Sequence, residues 1–269
     1  MESDPALINS ILEIESLRII GKPEGAGGSR WMRLVEDADG RRHYLKLTTV
    51  YEMHRNEAIA LAEWGKHGLA PEHRILNHDP LVMLISDLGG QHLRLADQIA
   101  PSERRMADIA ALARALHAVP PPDGLLTTGD LVRHRSARHC PDRRMLDIFG
   151  REITRLFRRA EAALITAEHE DYFIHGDLRH HNIIATDDGL KAIDPFGLVG
   201  DRACDLAFIA ARRSDPEDAL ERLLRHYGEH PPRIEEWFSW ALVMAHLGLR
   251  KREGYGGEAL VALERRLGA

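Results

Sequence analysis

Three residues in one short stretch carry the oxygens that a hard divalent cation prefers. Asp177 is followed five positions later by Asn182, and Asp194 closes the set. The stretch, residues 173–208, reads FIHGDLRHHNIIATDDGLKAIDPFGLVGDRACDLAF. Mg²⁺ takes one or two such groups from a protein and keeps the rest of its shell for water and phosphate oxygens. For these three residues to meet, the chain between them has to double back. Ile183-Ile184 reads as a short buried strand, Asp187-Asp188-Gly189 as a hairpin turn, and residues 190–193 as the return strand that delivers Asp194 just before Pro195. A loop then carries one carboxylate and an amide, and the hairpin brings a second carboxylate beside them. The competing reading is a polar loop whose aspartates only cap turns. His175, His180 and His181 also invite a metallohydrolase reading, but adjacent histidines rarely ligate one tetrahedral ion, and no second histidine motif of suitable spacing completes a set.

A second constellation lies far upstream. Residues 43–47 read as a strand on which Leu45 and Leu47 point one way while Tyr44 and Lys46 share the other face. An aromatic ring and an ammonium so placed could contact a purine and its phosphates; an exposed face with a solvated lysine gives the same pattern. Residues 51–68 read as a helix in which Met53, Ala60, Leu61 and Trp64 form an apolar stripe, and Glu57 falls on that stripe. A carboxylate on an inward face needs a partner, because unpaired burial of charge costs several kcal/mol, and Lys46 is the natural candidate. Ahead of these elements, residues 21–30 (GKPEGAGGSR) are glycine-rich. Glycines let backbone amides approach a phosphate, and Ser29 could add a hydroxyl donor. The segment is neither G-x-G-x-x-G nor G-x-x-x-x-G-K-[ST], so a plain hairpin loop fits it as well as a phosphate flap.

The remaining pattern supplies the scaffold. Asp4-Pro5 opens a leading helix over residues 5–12, and strands are expected at 17–20, 31–35 and 81–84. Helices are expected at 93–98, after Pro101-Ser102-Glu103 (with Ile109, Leu112, Ala113 and Leu116 inward), and at 147–168, 216–230, 232–248 and 258–267. Residues 120–142 form the least patterned segment, and Arg133, Arg135, Arg138, Arg143 and Arg144 make it and its edge basic, as in a solvated loop, with a substrate contact as the alternative. Trp237, Phe238 and Trp240 read as core, and Glu235 and Glu236 as a solvated first helical turn. The 269 residues, 44% hydrophobic and 29% charged, leave room for two modest cores with a cleft between them. A net charge of −6 argues against nucleic acid as a partner. Two cysteines, Cys140 and Cys204, an acidic N-terminus without an apolar leader, and no apolar run near the ~20 residues of a membrane span predict a cytoplasmic protein with no membrane partner.

The H-G-D-x-x-x-x-N loop, the Ile193-Asp194-Pro195 strand end and the Gly200-Asp201…Asp205-Leu206-Ala207 segment together resemble the aminoglycoside phosphotransferase family, relatives of protein and choline kinases. Tyr44-Leu45-Lys46 is similar to that family's Tyr-x-Lys strand, whose tyrosine stacks on adenine, and Glu57 stands where its helix glutamate stands. Residues 85–90 resemble the linker between its lobes, where Ser86 and Leu88 would meet the adenine edge. The resemblance implies an α+β, bilobal, protein-kinase-like fold. Residues 1–86 would form a nucleotide-binding lobe of small antiparallel sheet plus helix, and residues 87–269 a mainly helical lobe with the catalytic loop and substrate site.

It also implies an ATP-dependent (or GTP-dependent) phosphotransferase acting on a hydroxyl of a small molecule. Asp177 would be the catalytic base, Asn182 and Asp194 the Mg²⁺ ligands, and Lys46, Glu57, Tyr44, Ser29, Ser86 and Leu88 the nucleotide site. Asp205 would brace the catalytic loop, with Asp201 behind it, while His175 and Gly176 shape the loop. Gly197-Leu198-Val199-Gly200-Asp201 looks most like the streptomycin- and hydroxyurea-kinase branch, which implies an aminoglycoside-like or other hydroxylated antibiotic as acceptor and a resistance role. The basic middle segment gives a highly cationic drug no electrostatic support, so a metabolite such as an amino alcohol or sugar is the alternative acceptor. An inactive nucleotide-binding scaffold usually lacks the lysine, the base or a metal position, and all are present here. The short second half and the absence of an Ala-Pro-Glu segment after Asp194 argue against a protein kinase. A monomer or weak dimer is expected.

Overall fold

The structure, a computed structural model, describes residues 5–20, 30–48, 51–78, 81–92, 101–249 and 257–268. Its N-terminal part is built on strand alternation. The strands β1 (Arg18–Ile19), β2 (Arg30–Glu36), β3 (Arg42–Thr48), β4 (His73–His78) and β5 (Leu81–Ser86) form an antiparallel sheet in the order β1-β2-β3-β5-β4. On one face Val35, Leu45, Leu47, Val82 and Leu84 bury against Ile8 and Ile11 of the helix α1 (Pro5–Ile14). On the other, Leu81 and Met83 meet Ala58 of α2 (Tyr51–Gly65). Burying one such side chain contributes about 1.5–3 kcal/mol, and a one-residue slip would turn the whole set outward, so the register of β3 is strongly fixed. Lys46 is therefore held on the α2 side.

The C-terminal part is mainly helical: α3 (Glu103–His117), α4 (Thr128–His139), α5 (Asp142–Thr166), α6 (Ala203–Ala210), α7 (Pro216–Tyr227), α8 (Ile234–Leu249) and α9 (Gly257–Gly268). Short strands thread between them. The strands β6 (Gln91–His92), β9 (Ile183–Thr186) and β10 (Gly189–Ala192) form one antiparallel sheet, and β7 (Leu126–Thr127), β8 (Tyr172–Ile174) and β11 (Leu198–Gly200) form another. Trp237, Phe238 and Trp240 are fully buried, as expected of core residues.

Helix α2 belongs to both halves. Its Glu57 end faces the sheet, while Trp64 lies in the C-terminal core, stacked on Phe173 at 4.3 Å and donating Nε1–H to the Leu116 carbonyl at 3.1 Å. Gly197 packs against this helix at Asn56 and Ala60. Its φ of +63° suits glycine, and a Cβ there would stand 2.5 Å from the Asn56 carbonyl oxygen.

Several expectations needed correction. The basic segment expected as a loop contains α4, started by a capping box in which Thr127 and Asp130 bond each other's backbone N–H, with Leu131, Val132 and Ser136 inward. Helix α5 begins at Asp142 and breaks at Gly150, and α2 stops at Gly65. β4 was not anticipated, because its polar sequence forms a sheet edge with a register shift between Ile75 and Asn77. The expected helix at 93–98, the glycine-rich segment with Ser29, and the Met53 side chain lie outside the described residues. Among the described residues no helix is long and apolar enough to cross a membrane.

Candidate active site

The catalytic-loop residues come together because the hairpin is stitched to the loop by backbone bonds. Ile193 N–H donates to the Asn182 carbonyl at 2.9 Å, and Phe196 N–H to the His175 carbonyl at 2.8 Å. The His175 ring closes the arrangement, with Nε2–H donating to the Ile193 carbonyl at 3.0 Å and Nδ1 accepting from Asp177 N–H at 3.2 Å. That pairing fixes the tautomer and leaves this imidazole no nitrogen for a metal. Beneath the loop, the buried Asp205 carboxylate accepts from His175 N–H at 2.9 Å, Gly176 N–H at 2.8 Å and His117 Nε2 at 3.1 Å. Gly176 holds a φ of +78°, and a Cβ there would press Leu198 at 2.6 Å, so the loop's turn requires glycine. Asp201 is engaged elsewhere: it accepts from Trp237 Nε1 at 2.9 Å, from Arg233 and from Glu170 N–H, tying β11 to the start of α8.

The same construction places Asp194 in a left-handed conformation, φ +55°, directly before a proline. A side-chain-bearing residue in that conformation carries strain of about 1–3 kcal/mol, offset only where its surroundings over-determine it. Here they do. Lys46 Nζ lies 2.5 Å from Asp194 Oδ1 and also donates to Glu57 Oε1, and both members of the Lys46–Glu57 pair are buried. The lysine reaches across from the sheet to the hairpin, a separation of 148 positions in sequence.

Asp177 is buried, and its carboxylate is ringed by cations. Arg135 Nη2 stands 3.1 Å from Oδ1, Arg179 Nη2 2.8 Å from Oδ2, and Asn182 Nδ2 3.2 Å from Oδ2. Burial alone would raise the carboxyl pKa, but the charges of Arg135, Arg179 and Arg212 outweigh it and hold Asp177 below the usual aspartate value. Arg135 rides on the rings of Phe196 and Phe208, with its guanidinium carbon 4.8 and 5.0 Å from their centroids. His180 is pushed down to about 3, first by burial and then by His181 and the Arg213, Arg212 and Arg179 charges, so it is a neutral ring at ordinary pH. Read from sequence, Arg135 falls in a basic segment that a solvated loop explains better than a substrate contact, and Arg179 and Arg212 receive no role. The Thr127-x-x-Asp130 cap was the available signal that Arg135 sits on a helix and not in a loop.

A cleft of about 350 Å³ joins the two constellations. Tyr44, Lys46, Glu57, Ser86, Leu88, Asn182 and Asp194 all line it, together with Met32, Leu61, Ile85 and Ile184. Ser86 N–H donates to the Glu72 carbonyl at 2.8 Å, so toward the cleft this residue offers an acceptor or its hydroxyl. Among the described residues no three His, Cys, Asp or Glu side chains are grouped to hold a metal ion.

A small antiparallel sheet over a helical body, with a lysine–glutamate pair reaching an acidic hairpin end, is the arrangement of a protein-kinase-like phosphotransferase. The chain belongs to the phosphotransferase enzyme family, whose model matches residues 36–237. It is 33% identical over 174 residues to the streptomycin 6-kinase of Streptomyces griseus, which covers 63% of this chain and 54% of that protein. It is 29% identical over 214 residues to the streptomycin 6-kinase of Streptomyces glaucescens, 75% of this chain and 65% of that one. The matches thus span between half and two thirds of these curated relatives' own length. The fold resembles that of a thermostable mutant of aminoglycoside phosphotransferase APH(4)-Ia, solved as a ternary complex with ADP and hygromycin B. The TM-score is 0.64 at 13% identity, covering 97% of this chain and 98% of that chain.

Proposed function

We propose that this chain is an ATP-dependent phosphotransferase that moves the γ-phosphoryl group to a hydroxyl of a small molecule. The observation that carries the proposal is the Lys46–Asp194 contact, which joins the sheet's buried lysine–glutamate pair to the hairpin end within the cleft that Asn182 also lines. Lys46, held by Glu57, binds phosphate oxygens; Tyr44 packs on the base, and Ser86 and Leu88 border its edge. GTP is the alternative donor. The lobes divide at residues 86 and 87.

Asn182 and Asp194 present oxygen donors to one cleft, and two protein oxygens fit a Mg²⁺ ion that completes its shell from phosphate and water. Bound there, the ion neutralises charge on the phosphate oxygens. Asp177 orients the acceptor hydroxyl and takes its proton. The acceptor oxygen bonds to the γ-phosphorus, the bond from that phosphorus to the β–γ bridging oxygen breaks, and ADP leaves with the electron pair. Because the transition state is loose, alignment matters more than base strength, so the low pKa of Asp177 is compatible with this role.

The relatives' names make hydroxylated antibiotics the first acceptors to test, with hydroxylated metabolites beside them. The protein with Mg-ATP and such a panel should yield a product heavier by one phosphoryl group. Lys46→Ala should weaken nucleotide binding about tenfold or more, the worth of one hydrogen bond to a charged group. Unchanged AMP-PNP affinity in that variant would remove Lys46 from the phosphate site.

A further inference from the structure

A hydroxyl that is to be phosphorylated has to reach Asp177, and both oxygens of Asp177 are already engaged. Arg135 holds Oδ1, and Arg179 and Asn182 hold Oδ2, around a side chain that is only 5% exposed. A carboxylate keeps about four lone-pair sites, so a hydroxyl can still be accepted, but it enters among these cations and crowds them outward. Arg179, 30% exposed, can turn toward water, whereas Arg135, 15% exposed, is enclosed, and a desolvated charge left without a counterion is costly.

The γ-phosphate of the donor can receive one guanidinium, while two described carboxylates close by are already engaged. Asp205 is engaged by the loop amides and His117, and Asp201 by Arg233 and Trp237. More positive charge stands close by: Arg212 acts on Asp177, and Arg212 and Arg213 both act on His180. The Arg179 Nε is buried and makes no hydrogen bond among the described residues, which leaves a donor edge of this guanidinium available. Planar guanidinium forks match carboxylates and phosphates, two bonds at a time.

Building on the kinase reading above, we propose that the acceptor carries an acidic group, a carboxylate or a phosphate, close to its reactive hydroxyl, and that Arg135 and Arg179 exchange Asp177 for that group as the acceptor binds. A guanidino-bearing aminoglycoside such as streptomycin would instead bring like charge to this corner. The acceptor class thus differs from the one that the relatives' names suggest.

Four probes on one six-carbon polyol chain test this without knowledge of the natural acceptor: gluconate (a carboxylate), sorbitol 6-phosphate, uncharged sorbitol and cationic glucamine. Each is titrated by calorimetry at low ionic strength into the full chain saturated with AMP-PNP and Mg²⁺. In parallel, each probe and streptomycin are incubated with Mg-ATP and read by mass. At least one anionic probe should bind about tenfold more tightly than sorbitol, the worth of one charge-assisted contact, with glucamine weakest. Whether gluconate or sorbitol 6-phosphate leads distinguishes a carboxylate from a phosphate. Arg135→Gln and Arg179→Gln should each reduce that preference, while the wild-type charge series stands alone if either variant fails to fold. Equal affinities, no binding by any probe, an order led by glucamine, or streptomycin phosphorylated in preference to both anions would overturn the proposal and leave the kinase reading intact. Failure of AMP-PNP to bind the wild-type chain would instead count against the kinase reading.

Discussion

Replacing Asp205 by asparagine tests how the catalytic loop is held. Its Oδ1 accepts from Gly176 N–H at 2.8 Å, and its Oδ2 from His175 N–H at 2.9 Å and His117 Nε2 at 3.1 Å. An amide of the same shape keeps one oxygen, so its best orientation retains the pair at Oδ2 and turns an NH₂ group toward Gly176 N–H. One bond to a charged acceptor, worth about 1.5–3 kcal/mol, is lost, and a buried N–H is left facing a donor at a further cost of about 1–3 kcal/mol. Allowing for overlap between these, Asp205→Asn should destabilise the protein by about 3–5 kcal/mol, a large share of the ~5–15 kcal/mol that holds a typical domain. The assay is urea unfolding, with turnover measured on the fraction that remains folded. The midpoint should fall by about 1 M or more, given slopes of a few kcal/mol per M, and turnover should fall with it because Asp177 rides on the same loop. Tyr227→Phe is the graded control. A carboxylate only accepts, so His117 donates through Nε2 and its Nδ1 receives the Tyr227 O–H at 2.9 Å; removing that hydroxyl should cost only about 1 kcal/mol. If Asp205→Asn moved the midpoint no further than Tyr227→Phe and left turnover unchanged, the bracing role would be refuted.

Three further outcomes are expected. Asp177→Asn should lower turnover by about 10²–10⁴-fold with AMP-PNP affinity nearly unchanged, and unaltered turnover would refute its role as base. Gly197→Ala should cost about 1–3 kcal/mol in thermal or urea unfolding, because its Cβ would meet the Asn56 carbonyl at 2.5 Å in a left-handed conformation, and an unchanged midpoint would contradict that close approach. Asp201 is raised by burial but lowered more by Arg233, Trp237 and Glu170 N–H, so its folded pKa lies below the unfolded value near 3.9. Its contribution is present above that value and is lost as pH falls through the folded pKa; Arg233→Gln should be less stable at pH 7 and show a shallower acid decline, and parallel declines would refute the linkage.

Local spacing made half of the candidate site legible. Asp177, Asn182 and Asp194 follow from a loop and a hairpin whose turn signal, Asp187-Asp188-Gly189, is written in consecutive residues, and the antiparallel pairing of β9 with β10 is as expected. Lys46 and Glu57 followed from two periodicities, the alternation of β3 and the stripe of α2, combined with the need of a buried carboxylate for a cation. Arg135 could not be read in this way. It sits 42 positions before Asp177 in a segment whose other arginines, Arg133 and Arg138, face solvent, so composition pointed to a wet loop while packing selected one arginine for the interior. The strands β4 and β11 were missed for related reasons. The first is a polar edge, and the second is three residues long and exists through its pairing with β7 and β8.

Two pairings balance charge at the candidate site, and the proposed transfer would rearrange both. Lys46 stands between Glu57 and Asp194, and Asp177 between Arg135 and Arg179. Asp194 would hold the cation of a bound Mg-nucleotide and Lys46 its phosphate, with Glu57 keeping the lysine aimed, so one ion pair would be exchanged for two. In the second pairing the γ-phosphate can receive one guanidinium, and an acceptor with a negative charge of its own would receive the other. A neutral acceptor would bring no counterion for the second guanidinium, and a cationic one would add repulsion from the arginines around Asp177. On the proposed reading the donor would balance the nucleotide half of the site, and part of the demand for charge in the other half would fall on the acceptor.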